Sequence, residues 1–360
     1  MNHDLTTELQ DRVHAALAAG TPLALLGHGT KSFFGRVGAG EPLALSGHSG
    51  ILNYQPQELV ITARGGTTLA EIEAALAEHG QMLPFEPPHF ATDSRDATLG
   101  GTVACGLSGP ARPSGGAARD LVLGARVLTG RGEVLRFGGE VMKNVAGYDV
   151  SRLMVGALGT LGILLDVSVK VMPAPSVTAT HVHDCSLAEA LARMNAWALK
   201  PLPITATCFD GERLWVRLSG AAQSVDEALG RLGGERVDGA LADAFWRDRI
   251  REHGHPFFAG DRPLWRLSLP PATPDLAFPG RQLVEWGGSQ RWLRGDAADG
   301  ATIRERVAAV GGHASLFRGG DRTGEVFHPL PAGLMRLHRQ LKQSFDPGGI
   351  LNPGRLDAGL

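Results

Sequence analysis

The stretch from Thr98 to Ile163 constrains this chain more than any other. It opens with Thr98-Leu99-Gly100-Gly101-Thr102-Val103-Ala104-Cys105-Gly106 and passes through Gly109, Gly115 and Gly116. It closes with Gly156-Ala157-Leu158-Gly159-Thr160-Leu161-Gly162-Ile163. These glycines do not mark one tight turn. They recur on both sides of an apolar strand pair, so several loops bring bare backbone toward one long ligand. Glycine permits such an approach and the dihedrals it needs. Free N–H groups in such loops suit phosphate oxygens.

A further loop, Gly27-His28-Gly29-Thr30-Lys31, follows the apolar run Leu23–Leu26. It is neither a GxGxxG dinucleotide turn nor a GxxxxGK[ST] phosphate loop. Taken alone, a strand-to-loop turn with glycines reads as a turn. Together the loops point to a phosphate-bearing ligand without naming it.

Composition narrows the rest. A 43% hydrophobic content over 360 residues supports one large or two ordinary domains. With 35 basic and 37 acidic residues there is no cationic surplus of the kind nucleic acid requires. The apolar run Leu153–Leu165 is too short to span a bilayer. Met1–Gln10 lacks the basic and apolar regions of a secretory signal. Cys105, Cys185 and Cys208 stand far apart, with no CxxC, which argues against a zinc or iron–sulfur site. That usage fits a reducing compartment, so a cytoplasmic location is expected.

Periodicity predicts a helix over Thr7–Ala19 with a capping box at Thr7–Gln10, and strands at Leu23–Leu26, Leu43–Leu45 and Leu59–Ala63. A helix over Thr68–His79 opens at Thr68 and Glu71. This alternation suggests a small βαβ-containing unit. Leu121–Leu128 and Glu133–Phe137 read as a hairpin. Ile163 to Val171 alternates as a half-buried strand, and Pro173 and Pro175 end it at a domain boundary.

From Ser176 to about Thr323, short strands and helices suggest an α+β unit with helices on one face of an antiparallel sheet. Expected helices there include Leu187–Leu199, Leu241–Glu252, Thr302–Val310 and Ser224–Leu232, the last with a capping box at Ser224 and Glu227. All six tryptophans fall in this region, and exposed tryptophans there would offer an assembly surface. A last helix, Ala332–Ser344, precedes Asp346-Pro347-Gly348-Gly349-Ile350-Leu351-Asn352-Pro353-Gly354.

These loops and the C-terminal run resemble the FAD-binding module of the vanillyl-alcohol oxidase and p-cresol methylhydroxylase flavoprotein family. The run Val141–Leu153 is, more narrowly, similar to the E subunits of bacterial glycolate oxidases. The resemblance covers Leu23–Pro175 and the C-terminal run. It implies an α+β fold: a two-subdomain PCMH-type FAD-binding domain (1–175), a smaller α+β cap (176–323) and a C-terminal segment returning to the FAD domain (324–360).

The resemblance also implies residue roles. Gly27, His28, Gly29, Thr30 and Lys31 would face the FAD pyrophosphate. Thr98, Leu99, Gly100 and Gly101 would run beside the pyrophosphate and isoalloxazine, continued by Gly106, Ser108 and Gly109. Gly156, Gly159, Thr160, Gly162 and Ile163 would line the adenosine and ribityl part, and Asn352 would approach the flavin ring. His28 stands where the family has glycine, away from the position of covalent flavin attachment, so noncovalent FAD is expected.

Lys143, Asn144, Tyr148 and Asp149 form a candidate polar cluster near the flavin, with a solvated turn as the alternative. Asp149 could cap a helix starting near Val150, and Arg112, Arg119 and Asp120 could pair locally. His181 with His183, and His253 with His255, have strand-compatible metal-ligand spacing but read better as polar surface pairs. No metal site is assigned. The larger D-2-hydroxy-acid dehydrogenases of the family carry a cap motif HxGDGNxH with catalytic histidines, which this chain lacks.

The implied activity is oxidation of glycolate to glyoxylate, with electrons leaving through flavin to an iron–sulfur partner. A homologous flavin subunit would carry the substrate chemistry, and the catalytic residues of this chain stay unassigned. Two alternatives stay open: a self-sufficient FAD dehydrogenase of another small 2-hydroxy acid, and a scaffold with a vestigial flavin site.

Overall fold

The computed structural model describes residues 3–92, 95–139, 149–295 and 300–360. α1 (Thr6–Ala19) buries Leu9, Val13 and Ala16 on one side and stops at Gly20, whose φ of 65° closes the last turn. Its N-cap is Leu5, not Thr7, so the expected capping box does not form. Asp4 Oδ1 accepts the Thr6 N–H instead, at 2.9 Å.

β1 (Leu23–Leu26) and β2 (Glu41–Ala44) pair in parallel. The chain between them is the first glycine loop rather than a helix, which corrects the βαβ expectation. β3 (Ile51–Gln55) pairs antiparallel with β4 (Val60–Arg64). α2 (Leu69–Ala77) follows, with Thr68 Oγ1 accepting the Glu71 N–H at 3.2 Å. After β5 (Gln81–Met82) come α3 (Leu99–Cys105), α4 (Arg112–Gly115) and α5 (Ala118–Leu121). The expected hairpin forms from β6 (Val122–Leu128) and β7 (Val134–Gly138). Then come α6 (Val150–Leu153), β8 (Ile163–Lys170) and β9 (Met172–Pro173), which pairs with β5.

The first sheet has the order β3-β4-β8-β6-β7, so β8 is central. It is buried from Ile163 to Val169 on both faces, not half-buried as its alternation predicts. The polar positions carry partners that make burial tolerable. Arg126 Nε meets Asp166 Oδ2 at 2.5 Å, and Thr62 Oγ1 shares a hydrogen with Ser168 Oγ at 2.8 Å.

The second sheet is antiparallel and holds β10 (Val177–Asp184), β11 (Ile204–Phe209), β12 (Arg213–Gly220), β13 (Glu235–Arg236), β14 (Leu264–Ser268), β15 (Gln282–Glu285), β16 (Gln290–Arg294) and β17 (His313–Arg318). Its order is β13-β10-β12-β11-β15-β16-β14-β17. The helices among these strands are α7 (Leu187–Ala198), α8 (Ala222–Leu232), α9 (Gly239–Ala244) and α10 (Gly300–Ala308). α8 starts before Ser224, which therefore caps nothing, whereas Ser186 and Glu189 form a reciprocal capping box on α7.

α7, α8 and α10 cover the outer face, where Leu214, Val216, Leu218, Leu267 and Leu316 are buried. α9 lies on the inner face and runs into a π-helical turn, Phe245–Arg251. Helices thus lie on both faces, correcting the one-face expectation. The inner face also packs Trp215, Leu264 and Trp292 against Phe34, Leu107 and Leu158 of the N-terminal half. Trp215, Trp246, Trp265 and Trp292 are buried and Trp197 and Trp286 half-buried, so no exposed tryptophan surface exists.

α11 (Ala332–Phe345) leads to a tail that returns to β1. There the Leu23 N–H donates to Ile350 O at 2.7 Å and the Asn352 N–H donates to Leu23 O at 3.0 Å.

Candidate functional site

A cleft opens where the β1–β2 loop, α3, the start of β8 and the C-terminal tail meet. Gly27, His28, Gly29, Thr30 and Lys31 line it from the first loop, and Thr98, Gly100 and Gly101 from the second. Gly159, Gly162 and Ile163 line it from the third, and Asn352 from the tail. Segments more than 300 residues apart in sequence thus share one wall.

The glycines have a local reason to be there. A Cβ on Gly27 would lie 2.3 Å from Thr98 Oγ1, and one on Gly65 would lie 2.2 Å from Leu164 O. One on Gly100 would meet Gly65 O at 3.0 Å. The loops therefore pack backbone on backbone, and a cleft wall of exposed main chain follows. Along that wall the N–H groups of Gly27, His28, Gly29, Thr30 and Lys31 find no acceptor among the described residues. Lining an open cleft, these donors are free to meet water or a ligand. A run of them forms a concavity suited to an anion such as pyrophosphate.

Side chains brace the loop. His28 Nδ1 lies 2.9 Å from Asp96 O, and Lys31 Nζ donates to His89 O at 3.3 Å. Burial lowers the Lys31 ammonium below the ordinary lysine range, against the raising influence of Cys105, Glu252 and Asp96. Burial pushes the Cys105 thiol up, with Lys31 opposing. Asn352 holds a φ of 43°. Its Oδ1 accepts the Leu25 N–H and its Nδ2 donates to Leu158 O, both at 2.7 Å. The amide thus joins the tail to two cleft walls, and a backbone held at such a φ is costly unless its surroundings fix it.

Other expected site residues lie apart from the cleft. Leu99 is buried in the core. Gly106 caps α3 against the backbone of Gly156, while Gly156 and Thr160 lie beside α11. Ser108 and Gly109 line a second cavity toward the large sheet. Lys143, Asn144 and Tyr148 lie outside the described residues. Asp149 precedes α6, but its carboxylate takes Ser151 Oγ at 3.0 Å and Arg152 Nε at 2.7 Å rather than capping backbone. Arg112, Arg119 and Asp120 form no mutual ion pair among the described residues, and Arg112 instead stacks over Trp286 at 4.6 Å.

The histidine pairs are not surface pairs. His181 and His183 are buried on β10, and His253 is enclosed by Phe258, Trp292 and Phe317. Among the described residues, no three His, Cys, Asp or Glu side chains gather where they could hold a metal ion. Cleft residues that the sequence reading passes over include Gly65, Cys105 and Arg355. Arg355 ties the tail to the first loop by donating to Ser32 O at 2.8 Å and Phe34 O at 2.6 Å. The Gly65-Gly66 pair ending β4 is a visible signal, whereas nothing local marks Arg355.

Comparison with known proteins agrees with this arrangement. The FAD binding domain family matches residues 4–138. Glycolate oxidase subunit GlcE of Escherichia coli (strain K12) is 49% identical over 357 residues, 99% of each chain. Glycolate oxidase subunit GlcD of Bacillus subtilis (strain 168) is 33% identical over 130 residues, 36% of this chain and 27% of that protein. An alkyldihydroxyacetonephosphate synthase structure superposes with a TM-score of 0.67 at 15% identity, over 98% of this chain and 75% of that one. That likeness supports the mixed α+β fold. The chain belongs to the GlcE family of glycolate oxidase subunits, FAD-linked oxidoreductases built on a PCMH-type fold.

Proposed function

We propose that this chain is the flavin-binding E subunit of a glycolate oxidase that converts glycolate to glyoxylate. The observation that carries this reading is the 49% identity to the Escherichia coli GlcE subunit across 99% of both chains. FAD, held without a covalent link, would supply hydride acceptance. The chain's own part is binding and orientation. The unpaired N–H groups of Gly27–Lys31 would hold the pyrophosphate. Thr98, Gly100 and Gly101 would let the ligand approach α3, and Gly159, Gly162 and Ile163 would line the adenosine end. Asn352 would keep the tail closed over the cleft through Leu25 and Leu158.

The proposed division is an FAD domain over 1–175, a cap over 176–323 and a returning segment over 324–360. The partners are a homologous catalytic flavin subunit and an iron–sulfur subunit. The complex would work in the cytoplasm, with attachment to the inner membrane made through its other subunits. Among the described residues no helix is long and apolar enough to cross a membrane.

Anaerobic glycolate addition to the FAD-loaded chain tests the division of labour. Because the cap lacks HxGDGNxH, the flavin is expected to stay oxidised in the isolated chain and to bleach once the partner subunits are added. Bleaching in the isolated chain would make it a dehydrogenase in its own right. Flavin that stays oxidised within the complete, active complex would count against electron transfer through this chain.

A further inference from the structure

α11 buries one residue, Lys342, of its 14. Leu334, Leu337, Leu341 and Phe345 recur on it at helical spacing and form one apolar stripe. The C-terminal end of the stripe turns toward the body. There Phe345 packs against Phe137, ring centres 6.1 Å apart, and Leu341 lines a groove. The N-terminal end stays bare, with Leu334 42% and Leu337 54% exposed. The opposite side of the helix is polar and exposed, carrying Arg336, Arg339, Gln340 and Gln343. Across the groove stand Leu153, itself 43% exposed, with Val155 and Leu161. Leucines bared along one line mark an interaction site more than scattered ones do.

Charge narrows what could cover this groove. The titratable side chains on its wall are Arg119, Arg152, His338 and Lys342, all basic. Lys342 meets Asp346 at 2.6 Å and Arg152 meets Asp149 at 2.7 Å. Arg119 is exposed and meets no carboxylate among the described residues. The whole chain has a formal charge of -2, so the basic rim is local. A second copy placed by a two-fold axis would set basic rim against basic rim. A bilayer is flat, whereas the stripe turns into a groove and the outward side of α11 is polar. A narrow apolar segment with acidic neighbours suits both the leucines and the free arginine.

We propose that the groove between α11 and the segment joining α6 to β8 docks an apolar segment, flanked by acidic side chains, from another subunit of the oxidase. That the partner is an oxidase subunit rests on the E-subunit reading. The docking surface itself rests on the bare leucines and the basic rim. The loop 156–162 lines this groove through Gly156 and Leu161 and the FAD cleft through Gly159 and Gly162. The docking surface and the flavin cleft therefore share one wall.

The FAD-loaded full-length chain is mixed with the purified flavin and iron–sulfur subunits of the same oxidase. Association is read by sedimentation velocity and calorimetry. Replacing both bare leucines, Leu334→Glu with Leu337→Glu, should weaken association by at least about tenfold, the scale of a lost interface anchor. Arg119→Glu should weaken it as well and reduce its salt dependence, and serves as the test if the leucine variant does not fold. Leu199→Glu, at an exposed leucine ending α7, should associate like the parent. Folded leucine and arginine variants that associate like the parent would overturn the proposal, and so would equal weakening by Leu199→Glu. Binding of the parent to anionic phospholipid vesicles, or to itself, that these variants lose while subunit association stays intact would also overturn it. A folded parent that binds neither subunit removes the E-subunit reading and the docking partner with it. A parent that binds, with variants that bind equally well, removes the docking surface alone.

Discussion

Glu285 shows how one buried residue links packing to pH. Burial pushes its carboxyl up from 4.5 to about 7, against the N–H bonds from Trp292 and Gln290, and the Glu86 charge adds to the rise. Between those two values the folded chain keeps a proton that the unfolded chain has lost. Stability therefore falls as pH rises from about 4.5 to about 7 and levels off above it. At about 1.4 kcal/mol per pH unit, the ceiling on that loss is about 3 kcal/mol. Glu285→Gln should flatten this slope, so the variant gains stability relative to the parent between pH 5 and pH 8. Denaturant melts at several pH values check this, and parallel curves would refute it. Glu285 was invisible in the sequence because its significance lies in partners brought by β16 and in its burial on the large sheet. The glycine loops were legible because glycine carries its backbone role in its identity. The reason differed, however: Gly27, Gly65 and Gly100 are needed first for the loops to touch one another.

Elements were legible where one side of them decides their fate. The hairpin β6–β7 and the apolar stripe of α1 follow from local pattern alone. β3 was missed because its Ile-Leu-Asn-Tyr-Gln run has no clean alternation and gains its place by pairing with β4. Ser-x-x-Glu occurs at Ser186 and at Ser224, yet only the first caps a helix, since α8 begins upstream of the second. α11 shows an anchor that periodicity could not reveal. Most of its surface is exposed, and Lys342 is its buried residue. Lys342 Nζ donates to Asp346 Oδ2 at 2.6 Å, Leu351 O at 2.7 Å and Thr160 O at 2.8 Å. Asp346 also accepts the N–H groups of Ile350 and Leu351. Asp346→Ala would leave the ammonium buried without its counter-charge, at a cost of about 3–5 kcal/mol. Denaturant unfolding checks the figure. The same variant should retain less FAD, because Asn352 closes the cleft from this tail. Full stability and full flavin content together would refute the anchor.

At the scale of the whole molecule, the two sheets are held in one register by a polar seam. Arg217 Nη2 meets Glu86 Oε1 at 2.8 Å. Glu252 accepts the Phe90 N–H at 2.7 Å and the His89 N–H at 3.1 Å. Trp286 Nε1 donates to Gly109 O at 3.0 Å. Glu86, Phe90, His253 and Trp286 all hold positive φ along this seam, strain that only the joined halves can maintain. The change in texture after Pro175 was readable, and the strands of the second sheet begin there with β10. The seam between the sheets was not, because it depends on contacts between residues far apart in sequence. The central claim is that the cleft between the N-terminal loops and the C-terminal tail holds FAD without a covalent bond. Its most direct test is the visible spectrum of the purified full-length chain, incubated with FAD, before and after denaturation and filtration. The expected result is stoichiometric flavin in the folded protein, released into the filtrate on unfolding. A folded chain that takes up no FAD would contradict the claim, and flavin that stays on the denatured chain would contradict its noncovalent form.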